Sequence, residues 1–168
     1  MWHTKASLLQ YAYNLLFSAA SVNEKGTLKY FRKKLNRKNV TPNKVVDSYE
    51  GCEEFFISVG KAYIIVAAMH FFGMNDLNDQ PADFPKDIEQ ATKEVKLDYI
   101  DTKLDSFVKQ FVIQSGFDSN TDDYVKNYSL MTIFFTVLLL QMKDTAAEGD
   151  GERNLINQKI FANSSIVF

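Results

Sequence analysis

Residues 53–74, EEFFISVGKAYIIVAAMHFFGM, decide the fold. The first half of this stretch carries one polar stripe, Glu54, Ser58 and Lys61, and from Ala62 to Phe72 polar residues almost vanish. Ile64, Ile65 and Val66 suit a buried strand locally, but a run this long without turn chemistry far exceeds a strand of about 5–6 residues. The spacing predicts a helix that is apolar on one face early and on all faces later, so other helices must cover it on several sides. Glu50, Glu53 and Glu54 stand at its start, where the helix dipole favours acids, and Gly73 is the residue type that ends a helix most easily. The expectation is a central buried helix over about residues 50–73.

A second apolar run, LMTIFFTVLLL at residues 130–140, belongs to an expected helix over about residues 122–147. Eleven residues fall well short of the ~20 that cross a bilayer, so the run reads as buried in protein. Other helices are expected to surround these two. Residues 6–20 place Leu8 or Leu9, Ala12, Leu15 or Leu16 and Ala19 at helical spacing, and a turn at residues 21–26 follows. Thr27 can N-cap a short helix with Leu28, Phe31 and Leu35 turned inward. Residues 39–48 and 75–84 read as loops, and residues 86–114, entered through Pro85 and closed by Gly116, as one long helix or two joined pieces. After a loop at residues 118–122 and the late apolar helix, Glu148-Gly149-Asp150-Gly151-Glu152 breaks the chain and leaves a short apolar-rich tail from Leu155 to Phe168. The fold class is all-α, a single helical domain of five or six helices over residues 1–168.

Composition agrees with that reading. Of 168 residues, 46% are hydrophobic and 14% aromatic, enough for one core without a staple, while 7 Gly and 3 Pro are few for a turn-dense β-protein. A net charge of −2 exerts no global pull on nucleic acid or membranes. Cys52 is the lone cysteine, which excludes a disulfide framework, and Gln10, Tyr11, Tyr13 and Asn14 interrupt the N-terminal apolar run that a signal peptide needs. The expected setting is intracellular, nucleus or cytoplasm, neither secreted nor transmembrane.

The chemistry concentrates in one place. Residues 25–44 hold eight of the nineteen basic residues and no acid. Lys29, Arg32, Lys33, Lys34, Arg37 and Lys38, interleaved with Tyr30 and Phe31, suit phosphate contact with occasional stacking. The plainer reading is a solvated helix face, paired against the acidic helix at residues 87–105. Asp150 and Glu152, separated by glycine, can offer oxygen ligands to a divalent metal, although glycine beside acid is also ordinary helix-stop chemistry. His70 reads as a half-buried polar side chain, and Cys52, beside Glu53 and Glu54, lacks the electropositive surroundings of a nucleophile. No phosphate loop, zinc-protease motif or nucleophile elbow is present, so no catalytic residue and no cofactor is expected.

Several phrases, in order, carry a resemblance. They are Trp2-His3-Thr4-Lys5, Lys25-Gly26-Thr27-Leu28, Leu35-Asn36-Arg37-Lys38-Asn39-Val40, Cys52-Glu53-Glu54-Phe55, Ala67-Ala68-Met69, Phe72-Gly73-Met74 and Glu148-Gly149-Asp150-Gly151-Glu152-Arg153. Together they resemble the family called domain of unknown function 6589, over about residues 2–153, with a divergent tail at residues 154–168. The resemblance implies a eukaryotic, mobile-element-associated protein with no established activity. Members usually carry a longer part before the Trp-His segment and a Trp-containing helix after the Gly-Asp-Gly-Glu-Arg phrase, which makes this chain look like a truncated C-proximal piece. By analogy with transposase-like nucleases, His3, Asp150 and Glu152 are the residues to inspect as metal ligands. Three functions compete: a non-enzymatic module contacting nucleic acid or protein through its basic helix, a relic of a metal-dependent nuclease, and a structural or interaction module.

Overall fold

The computed structural model describes residues 2–18, 23–113 and 123–167. Among them are six α-helices and no strand, so the fold is all-α. The helices are α1 (Trp2–Ser18), α2 (Leu28–Lys34), α3 (Tyr49–Phe71), α4 (Lys93–Val108), α5 (Tyr124–Glu148) and α6 (Gly151–Val167). They group into two compact units, one of Met1–Lys61 with Phe134–Phe168 and the other of Ala62–Ile133, and α3 and α5 each contribute to both. Residues 21–22 of the expected turn at residues 21–26, the stop at Gly116 and the loop at residues 118–122 lie outside the described residues.

In the first unit α1 buries Leu8, Leu9, Ala12 and Leu16, one helical face. Tyr13 goes in with them because its hydroxyl finds a partner: it donates to the Cys52 carbonyl of α3 at 3.1 Å, and burial pushes the phenol well above its usual range. Its ring lies 5.9 Å from Phe56. The first half of α3 is closed, with Cys52, Phe55, Phe56 and Val59 buried.

Two contacts fix α5 against it. The Glu53 carboxylate takes Lys143 Nζ at 2.9 Å and the Tyr49 hydroxyl at 2.8 Å. Gly60 faces Thr136 so closely that an added Cβ would lie 1.8 Å from Thr136 Oγ1. Moving from Glu53 to Gly60 along α3 moves the contact from Lys143 back to Thr136, so the two helices run antiparallel here. Only glycine permits that approach.

α5 ends at Glu148, Gly149 takes a left-handed φ of 72°, and the chain was expected to trail off beyond it. Instead Asp150 Oδ1 accepts the backbone N–H of Glu152 at 3.1 Å and of Arg153 at 3.0 Å. That is an N-cap, and α6 starts at once. The residues read as a tail are therefore a helix of 17 residues. It is docked by Asn157, whose amide donates to Thr145 Oγ1 at 3.2 Å, and by Phe161, whose ring meets Tyr11 at 6.0 Å.

The second unit holds the other half of α3. Phe71 stands edge-on to Phe107 at 5.7 Å and to Phe111 at 6.4 Å, and Tyr63 lies 6.5 Å from Tyr128 of α5. Gly73 terminates α3 as expected: its φ is 64°, and Met74 N–H reaches back to the Met69 carbonyl at 2.8 Å. In the loop that follows, Asp79 Oδ2 gathers the N–H groups of Asn75 and Asp76, each at 2.8 Å, and Asp83 pairs with Lys103.

The expected helix from residue 86 is delayed. Ile88–Gln90 make only a 3₁₀ turn, Ala91 is extended at ψ 157°, and the Thr92 side chain caps α4 by accepting the Val95 N–H. A threonine that bonds the backbone ahead of it competes with a continuous helix and here wins. α4 then widens into a π-type turn over Lys109–Ile113.

Cover on several sides, expected along all of α3, is present only in its first half. Between Ala62 and Phe71 only Ala67 is buried, while Ile65 is 47% and Val66 65% exposed. α4 brings Phe107 and the π-turn brings Phe111 to one side of the helix. The α4 residues Val95, Leu97, Ile100 and Leu104 themselves stay exposed. By length and composition both α3 and α5 are apolar enough to cross a bilayer, although half of the α5 window is buried in protein against 28% for α3.

Candidate nucleic-acid interface

The basic stretch is built on a short, well-anchored helix. Thr27 Oγ1 accepts the Tyr30 N–H at 3.2 Å and so caps α2, and Leu28 is fully buried beneath it. Leu35, expected to turn inward, is exposed. The reason is local: Asn36 takes a left-handed φ of 50°, and Arg37 N–H bonds the Arg32 carbonyl at 3.0 Å, so the helix closes before Leu35 can reach the core.

The six expected cations divide into two groups. Lys29, Arg32 and Arg37 are engaged within the protein. Lys29 Nζ lies 5.7 Å above the Phe17 ring, Arg32 Nη2 donates to the Lys38 carbonyl at 3.1 Å, and Arg37 Nη2 pairs with Glu54 of α3 at 3.2 Å. Lys33, Lys34 and Lys38 are exposed, and among the described residues the Arg37–Glu54 contact is the one ion pair that this set forms. Arg32 keeps one buried nitrogen, Nε, without a partner. The arrangement presents three solvated ammonium groups around a tight, left-handed turn.

The proposed metal ligands have other surroundings. The Asp150 carboxylate caps α6 and lies 4.0 Å from Arg153 Nε. Glu152 is exposed, and His3 is exposed on α1 beside a hollow lined by Gln10, Tyr11 and Phe161. Among the described residues no three His, Cys, Asp or Glu side chains gather as a metal site. What sequence reasoning missed here is Arg153, which reaches Asp144 at 2.9 Å and Glu148 at 2.5 Å as well as Asp150. The hydrogen bond to Asp144, helped by the other two carboxylates, holds its guanidinium proton even more firmly than usual. The signal was legible as one cation among four nearby acids. Cys52 is buried, which pushes its thiol up, away from the thiolate a nucleophile needs. His70 is exposed on α3.

No curated protein and no solved structure matches this chain. A family model does, over residues 1–162, continuing past Arg153 into α6 where the divergent tail was expected. The chain therefore belongs to DUF6589, a family of unknown function.

Proposed function

We propose that the protein is a non-enzymatic helical module of mobile-element origin whose α2 turn contacts nucleic acid. The observation that carries this reading is the set of solvated lysines, Lys33, Lys34 and Lys38, on a turn fixed by the Thr27 cap and the left-handed Asn36. Exposed ammonium groups on a fixed stretch of backbone are free to replace counterions along a phosphate backbone. Tyr30 and Phe31 lie beside them, ring to ring at 5.5 Å, as partners for an unstacked base. The metal-dependent alternative has no comparable support, because Asp150 already caps a helix and faces Arg153.

Fluorescence anisotropy against single- and double-stranded DNA and RNA, repeated over a range of salt, tests the reading. Binding should weaken steeply with salt, and changing Lys33, Lys34 and Lys38 together to Glu should abolish it while leaving the fold intact, since none of the three side chains is buried. Changing one of them to Gln should lower the log–log salt slope by roughly 0.7–0.9. Binding that ignores salt, or that survives the triple change, defeats the reading.

A further inference from the structure

The second unit contains a cleft of about 510 Å³ whose two sides differ in chemistry. Its floor is apolar: Ala67 of α3 and Leu130 and Ile133 of α5 are buried there, with Phe111 alongside. Its rim carries three exposed nitrogen-bearing side chains, His70 of α3, Gln110 of the π-turn and Lys126 of α5. The Lys126 backbone N–H donates to Asp123 Oδ1 at 2.9 Å, and its exposed side chain lines the cleft.

Two features single this cleft out. The π-type turn at Lys109–Ile113 abandons the regular helical bond pattern at the point where Gln110 and Phe111 enter the lining, and such turns concentrate at functional sites. The volume falls in the range of about 300–1,000 Å³ typical of small-molecule sites, with an apolar wall and a few converging polar groups.

We propose that this cleft binds a small amphiphilic carboxylate, an aliphatic or aromatic body seated on Ala67, Leu130 and Ile133 with its anionic head among Lys126, Gln110 and His70. All three rim groups can donate a hydrogen bond, one carries full positive charge, and none is a carboxylate, so the lining favours an acceptor-rich anion over a cation or a neutral chain end. The site is independent of the basic turn of the other unit, and its test does not involve nucleic acid.

Titration calorimetry of the full chain with decanoate, and with decanol as the uncharged match, tests the assignment. Decanoate should bind one to one and roughly tenfold more tightly than decanol, the size expected for a single charge-assisted hydrogen bond. Lys126→Gln, at an exposed position, should erase that preference without unfolding the protein. Ala67→Leu should weaken both ligands, and the Ala67 and Ile133 methyl resonances should move with decanoate in the parent protein. Equal binding of the two ligands, an undiminished preference in Lys126→Gln, or methyl resonances that stay still would overturn the proposal.

Discussion

The two halves of α3 make an instructive pair. Residues 52–60 contain two glutamates, a serine and a glycine, yet all but Glu54 and Ser58 are buried in the first unit, whereas the more apolar residues 62–71 expose Ile65 and Val66. Hydrophobicity is thus the poorer guide to burial along this helix. The first half is buried because shapes fit and polar groups find partners: Tyr13 with the Cys52 carbonyl, Glu53 with Tyr49 and Lys143, Gly60 against Thr136. The second half makes aromatic contacts to Phe107, Phe111 and Tyr128, and Ala67 is its one buried residue between Ala62 and Phe71.

The largest expected effect tests this contrast head on. Phe56→Ala should cost about 3–5 kcal/mol, because a fully buried ring leaves a cavity. Val66→Ala should stay within about 0.5 kcal/mol, as for an exposed position. Equal costs in urea unfolding would erase the distinction.

A smaller effect, about 1–3 kcal/mol, is expected from Gly60→Ala, whose new methyl must displace Thr136. Thr136→Ala in the same chain should recover part of the loss, since the pair then couples through one shared space. Full additivity of the two changes would show that the close approach is not what seats α5.

The smallest effect concerns the loop after α3. The Asn78 backbone N–H holds the Asp76 carboxyl below the usual carboxylate range, and Lys103 does the same for Asp83. Because both folded-state values are lowered, the stabilisation is complete above the ordinary range and is lost as the pH falls through the lowered values. The Asn78 amide resonance should therefore shift on acidification while those of buried α1 residues do not. Both carboxylates are exposed, so global unfolding should scarcely respond.

Much of the fold was legible in the residues. Thr27 and Gly73 do what their types and positions announced, and both long helices lie within two residues of their expected bounds. α6 escaped because Asp150 was read as part of a stop, when a carboxylate just past a left-handed glycine also begins the next helix. The late start of α4 turned on Thr92, whose capping role no periodicity reveals. At the candidate interface the excess of cations was plain, but which of them stay in solvent was not. That depended on Glu54 and Phe17, which only the folded chain brings to Arg37 and Lys29.

The corner joining α5 to α6 has a consequence for substitution. Three carboxylates, Asp144, Glu148 and Asp150, converge on the flat fork of Arg153. A lysine there would preserve the charge tally but has no plane and no spread of nitrogens, so it could not hold three anions at their separate bearings. The corner before the last helix thus draws on the shape of one side chain, beside the Asn157 and Phe161 contacts that dock the helix itself.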